Sequence, residues 1–155
     1  MIKIKKPKKK FAFPTLDDFF FNFKSSIIQI FIGFLEMLES VKDKTGKVET
    51  SLIYGCRDDD SFLYKSKLEK LTENGILENL FVAFSRKEPK KYVQDIIQDE
   101  SERIKNLIER QGLIYICGDA AGLGIAIKNV FTQIFGKEIY TNLILQKRIR
   151  EDLWR

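Results

Sequence analysis

Leu113-Ile114-Tyr115-Ile116-Cys117-Gly118-Asp119-Ala120-Ala121-Gly122-Leu123-Gly124 decides the fold. Its first five residues are apolar without alternation, the pattern of a strand covered on both faces. Gly118 to Gly124 then punctuates the chain, and a helical pattern follows through Phe135. The same unit recurs upstream. Thr50 to Gly55 reads as a short buried strand. The helix after it can be capped by Asp60 or Ser61, carries Phe62, Leu63, Leu68 and Leu71 on its apolar side, and is stopped by Gly75 in the left-handed conformation. Asn79 to Phe84 is another apolar strand, and Pro89 marks the loop behind it. Val93, Ile96, Ile97, Ile104, Leu107 and Ile108 then recur at helical spacing up to Gly112. Strand and helix alternating in this way predict an α/β fold: three layers, with a parallel β-sheet between helices on both faces. Right-handed crossovers bring the C-terminal ends of the strands to one edge, where such sheets bind ligands.

The 155 residues suffice for one domain with a sizeable core, and 44% apolar against 32% charged argues against disorder. No stretch of about 18 uncharged apolar residues is present, so no membrane-spanning helix is expected. The absence of histidine excludes imidazole acid–base catalysis and zinc sites built on imidazole, and no metal site is expected. Cys56 and Cys117 form neither a metal-ligand pattern nor a disulfide framework, which points to a reduced, cytoplasmic setting. The formal charge of +5 is concentrated in Lys3, Lys5, Lys6, Lys8, Lys9 and Lys10. Such a run suits either an arm for polyanions or a solvated terminus. It has no interleaved aromatics and no basic stripe continues it, so no nucleic-acid partner is expected. Phe19 to Phe23 follows Asp17 and Asp18 without a small-residue cleavage pattern, unlike a signal peptide.

Three loops follow the three strands. The first opens Gly55-Cys56-Arg57 and the third is Cys117-Gly118-Asp119. The second holds Ser85, Arg86, Lys87, Lys90, Lys91, Tyr92, Val93 and Gln94. A guanidinium, an ammonium and a hydroxyl suit a phosphate monoester, and Tyr92 offers a face for an adenine. The same residues also suit a merely solvated basic loop. Gly118 to Gly124 reads either as a dinucleotide turn at a helix N-terminus or as an ordinary tight turn, since its spacing is not Gly-x-Gly-x-x-Gly. Cys117 reads either as a small buried residue or as one facing a cofactor.

Six ordered stretches carry a resemblance: Tyr-Gly-Cys-Arg (54–57), Phe-Leu-Tyr (62–64), Val-Ala-Phe-Ser-Arg (82–86), Lys-x-Tyr-Val-Gln (90–94), Ile-Tyr-Ile-Cys-Gly-Asp-Ala (114–120) and Asp-Leu-Trp (152–154). Together they resemble the NADP(H)-binding domain of the diflavin reductases, with its ferredoxin reductase-like fold. Ile32 to Glu36 resembles the helix after that family's first nucleotide loop. The resemblance implies a cradle for the 2′-phosphate and adenosine made by Ser85, Arg86, Lys90, Tyr92 and Gln94. It implies that Arg57 contacts pyrophosphate or ribose, and that Ser26 keeps the loop's hydroxyl. Cys117 and Asp119 resemble residues beside the nicotinamide, Asp152 an acidic residue near the hydride-transfer centre, and Trp154 the aromatic that covers the flavin. The implied cofactor is NADPH, which gives a hydride to FAD.

The chain also departs from that pattern. Ser25-Ser26-Ile27-Ile28-Gln29-Ile30 stands where the family has a Gly-Thr-Gly-x-Ala-Pro loop, so the glycines that admit a pyrophosphate are missing. Phe19 to Phe23 replaces the strand before it. No FAD-binding barrel and no flavodoxin-like FMN domain occur in these residues. The division expected is a basic tail and apolar lead-in over 1–24, then an NADP(H)-binding domain over 25–155. FAD and FMN belong to missing or partner domains, and a further electron acceptor lies downstream. These residues are not expected to act alone. The alternative is a non-catalytic relative that keeps the fold and binds nucleotide weakly or not at all.

Overall fold

The structure, a computed structural model, describes residues 49–154. The basic tail, Phe19 to Phe23, Ser26 with the glycine-poor stretch, and Ile32 to Glu36 lie outside the described residues.

Strand β1 (Ser51–Cys56) pairs in parallel with β2 (Asn79–Phe84), Ser51 opposite Asn79 and Cys56 opposite Phe84. Helix α1 (Lys65–Glu73) makes the crossover between them. Strand β3 (Ile114–Asp119) pairs in parallel with β4 (Ile149–Trp154), Ile114 opposite Ile149 and Asp119 opposite Trp154. Helices α4 (Ile125–Phe135) and α5 (Lys137–Leu145) make that crossover. Between the two pairs run α2 (Val93–Asp99) and α3 (Ser101–Glu109). Parallel pairing throughout, with helical crossovers, is the expected α/β architecture.

Side chains sort the helices to opposite faces. Phe62 lies against Tyr54 and Phe84, with ring centroids 5.1 and 6.4 Å apart, on the face of β1–β2 that also carries Val82. Gly55 and Ala83 point the other way, and there Val93 of α2 comes so close that a Cβ on Gly55 would stand 2.7 Å from Val93 Cγ2. The main core lies under β3–β4. Ile116 and Ile149 meet Ile97 of α2, Ile127, Val130 and Phe131 of α4, and Tyr140 and Leu143 of α5.

Three local expectations are corrected. Neither Asp60 nor Ser61 caps α1, because Asp58 Oδ1 takes the Ser61 backbone N–H at 2.9 Å and closes a turn there. Phe62 is spent on the sheet, so the helix starts only at Lys65, behind Tyr64 at φ 59°. The helical spacing from 93 to 108 is interrupted at Glu100 (φ −91°, ψ 16°), and the bend turns Ile104 and Ile108 onto the same core as Ile97. Gly75 does adopt the left-handed conformation, at φ +63°. Beyond Phe135 the chain adds α5 and β4. The charged run Arg150-Glu151-Asp152 hides β4 from a reading of apolar patterns.

Candidate functional site

The ends of β1 and β2 hold the loops that carry the arginines. The ladder continues past both strands: Ser85 N donates to Cys56 O at 2.9 Å, and Arg86 N donates to Arg57 O at 2.8 Å. Two exposed guanidinium side chains therefore leave adjoining backbone. Among the described residues neither makes an ion pair or a side-chain hydrogen bond. Both act on Asp58, whose carboxyl is held below its ordinary range first by hydrogen bonds from Ser61, then by Arg86 and Arg57. Ser85 Oγ donates to Cys56 O at 3.3 Å, so it offers a lone pair where it stands and donates to a ligand only after rotating.

The lysines of the second loop are already paired with acids. Lys87 Nζ reaches Asp59 Oδ2 at 2.7 Å across the two loops and sits 5.0 Å from the Phe84 ring centroid. Lys90 lies 3.7 Å from Glu88, a loose exposed pair, and Lys91 lies 2.8 Å from Asp99. Tyr92 begins α2. Its N–H donates to Asp95 Oδ2 at 2.8 Å, while Asp95 N donates to Tyr92 O at 3.1 Å. That reciprocal cap fixes the backbone and leaves Tyr92 48% exposed, with an aromatic ring to offer a base. Gln94 lies elsewhere. It lines a cleft of about 320 Å³ between α2 and α4, with Asp95, Gln98, Ala126, Asn129 and Gln133. The structure thus brings Arg57, Ser85 and Arg86 together and sets Gln94 into a separate groove. Sequence reasoning missed Asp59 and Lys87 as a pair. The acidic run Asp58-Asp59-Asp60, facing a basic loop, was the available signal.

The other group lies on β3–β4. Side chains alternate along a strand, so Tyr115, Cys117, Asp119, Arg150, Asp152 and Trp154 share the face turned away from the core. Register sets Cys117 directly beside Asp152, and Asp119 directly beside Trp154. Cys117 is exposed, not a buried filler, yet its thiol is pushed up to about 11, chiefly by desolvation and then by Asp152. Asp152 Oδ2 is buried without a hydrogen-bond partner among the described residues. A carboxylate oxygen buried without a donor beside an exposed cysteine is an unused acceptor, which a ligand amide N–H, such as a nicotinamide's, reaches only after the Asp152 side chain turns outward. Asp119 is spent differently. Oδ1 accepts from Ala121 N (3.0 Å) and Oδ2 from Gly122 N (2.7 Å) and Leu123 N (3.2 Å), which caps the π-helical turn Ala120–Gly124 and lowers its carboxyl. The glycine-punctuated turn is therefore held by its own aspartate. Gly118 and Gly124 make room inside it for Leu123 and Leu153. Trp154 is half-buried at the end of β4.

β4 is anchored at its entry by Arg148. Nε donates to Gly112 O at 2.9 Å, Nη2 to Ile108 O at 2.7 Å and Nη1 to Gln111 Oε1 at 3.1 Å. Tyr140 OH donates to Glu151 Oε1 at 2.7 Å from the core side.

Parallel strands joined by helices, with candidate ligand groups at the strand ends, define a nucleotide-binding domain of the oxidoreductase type. The oxidoreductase NAD-binding domain family matches residues 33–127, and the chain belongs to it. Its relatives include NADPH–cytochrome P-450 reductase of Sus scrofa, 38% identical over 112 residues, which cover 70% of this chain and 16% of that enzyme. The Drosophila melanogaster enzyme of that name is 33% identical over 138 residues, 80% of this chain and 20% of the enzyme. The bifunctional cytochrome P-450/NADPH–P-450 reductase 1 of Bacillus subtilis is 39% identical over 95 residues, 59% of this chain and 9% of that protein. The chain is therefore homologous to the nucleotide-binding region of such reductases, as the six motifs suggest, and spans at most a fifth of the length of these relatives. No helix among the described residues is long and apolar enough to cross a membrane.

Proposed function

We propose that the chain is the NADPH-binding domain of a flavin-dependent oxidoreductase, delivering hydride to FAD on a partner domain of the same parent protein or another chain, for onward transfer to an acceptor. Residues 25–155 make up that domain and residues 1–24 form a basic lead-in. The observation that carries the reading is the outward face of β3–β4, where Cys117 stands beside the Asp152 oxygen that has no hydrogen-bond partner among the described residues, with Trp154 two pairs further along the ladder. When bound, NADPH supplies the hydride. Arg86 pairs with the 2′-phosphate, Ser85 completes the contact after rotating, Lys90 adds charge, and Tyr92 stacks on the adenine. Arg57 meets the pyrophosphate or ribose. Gln94 bounds the adenosine side from its groove, and Ser26 supplies the hydroxyl of the family's Gly-Thr-Gly-x-Ala-Pro loop to the nucleotide. Asp152 and Cys117 orient the nicotinamide carboxamide, Asp119 keeps the turn beside it in shape, and Trp154 lies where a flavin ring is to be covered. Two free thiols suit a reducing, cytoplasmic compartment.

A specific observation favours one other reading, a relative that keeps the fold and binds nucleotide weakly: Ser25 to Ile30 holds no glycine. Calorimetric titration with NADPH and NADH separates the two. Preferential binding of NADPH supports the first, and no binding of either supports the second.

A further inference from the structure

The loops after β1 and β2 present five cations, Arg57, Arg86, Lys87, Lys90 and Lys91, and four carboxylates, Asp58, Asp59, Asp60 and Glu88. Lys90 pairs with Glu88 of the same loop, and Lys91 with Asp99 at the end of α2. Lys87 differs. It is the immediate neighbour of Arg86, yet its ammonium turns across to the other loop and ends 2.7 Å from Asp59. Both members are about half exposed, 55% and 52%, and among the described residues this contact and the Phe84 ring are what hold the lysine there. Asp58, beside Asp59, is held by the Ser61 turn and faces Arg86 and Arg57, while Asp59 is the carboxylate that Lys87 meets.

We propose that Asp59 is a specificity-determining positioning residue: by holding Lys87 it withholds a second cation from the phosphate site at Arg86 and so limits the preference for 2′-phosphorylated adenosine. This rests on the NADPH reading above. An ammonium on a four-carbon stem swings readily, and a phosphate dianion beside Arg86 competes with a single carboxylate for it. Adenosine without the 2′-phosphate offers Lys87 nothing, so the effect falls on one ligand of a matched pair.

The test uses the full chain and two probes, 2′,5′-ADP and 5′-AMP, by calorimetry at low and high salt. Asp59→Asn is expected to tighten 2′,5′-ADP by about three- to five-fold, the scale of one exposed ion pair, and to leave 5′-AMP unchanged. The gain should shrink at high salt. It should vanish in Asp59→Asn/Lys87→Met, because Lys87 is the group released. If wild type binds 2′,5′-ADP and Asp59→Asn leaves the ratio of the two affinities unchanged, the proposal falls and the NADPH reading stands. If the double variant keeps the whole gain, loss of the carboxylate alone explains it and Lys87 has no part. If neither wild type nor Asp59→Asn binds 2′,5′-ADP, the NADPH reading fails and takes this proposal with it. Circular dichroism of each variant checks that α1 and the strands persist.

Discussion

At the residue scale, two side chains carry testable chemistry. Arg86 has no ion pair among the described residues, and on the proposed reading it meets a phosphate that NADH lacks in that place. Arg86→Ala should weaken NADPH binding by about 2–3 kcal/mol, the loss of charge-assisted hydrogen bonds, and barely touch NADH. Equal losses for both nucleotides would mean that Arg86 supports the loop instead. Cys117 tests the other end of the site. Its thiol is pushed up to about 11 by desolvation and by Asp152, so it is uncharged and slow to react at neutral pH. In a Cys56→Ser background the rate of alkylation by iodoacetamide should keep rising toward pH 11, and Asp152→Asn should move that midpoint downward. A rate that levels off near pH 9 in the parent chain would show the thiol facing open water.

At the element scale, caps and anchors decide which helices and strands stay in register. Asp119 closes the turn before α4 through three backbone N–H groups, which favour its ionised form. A carboxyl lowered in the folded state stabilises above its unfolded value and loses that contribution as pH falls through the folded one. The melting temperature should therefore fall on acidification through and below the ordinary carboxylate range. Asp119→Ala should melt lower at neutral pH and show a flatter acid limb in a pH series of thermal melts. Arg148 does comparable work for β4, binding two carbonyls at the end of α3. Arg148→Met leaves both without that donor and should cost about 2–3 kcal/mol in urea unfolding, while Arg150→Met, whose side chain among the described residues reaches one backbone carbonyl, Lys147 O at 3.2 Å, should cost far less. β1, β2, β3 and α4 are legible in the sequence because buried parallel strands are continuously apolar. β4 is not, because one of its faces carries Arg150, Asp152 and Trp154 and the other carries Glu151, which leaves no continuous apolar run to mark it. The arginines of the site are legible by residue type. The Lys87–Asp59 pair and the capping use of Asp119 are not, since both depend on where a turn sends a side chain.

At the scale of the whole molecule, these 155 residues hold candidate nucleotide contacts and, on the reading above, need a flavin from elsewhere. The chain alone should not oxidise NADPH with ferricyanide as acceptor, whereas adding an FAD-loaded reductase domain in trans should confer the activity. The sole tryptophan reports the docking. Half-buried at the end of β4, Trp154 should emit between the buried and fully exposed extremes, be partly quenched by iodide, and lose intensity when the flavin domain is added. Fluorescence unchanged by that domain, together with no gain in turnover, would sink the partnership.

The register of the two parallel ladders has a kinetic consequence. Ser51 must find Asn79, and Ile114 must find Ile149, each across an entire helical crossover. Neither ladder can zip from a tight hairpin, so the entropy of closing a long loop is spent before the first interstrand bond forms. Mixed α/β chains with such distant partners refold more slowly than helical bundles of similar size. Until β4 docks, β3 exposes an apolar edge that invites pairing with another chain. A truncation that ends at Leu145 should therefore fail by aggregating during refolding, and dilution should rescue the full chain far better than the shortened one.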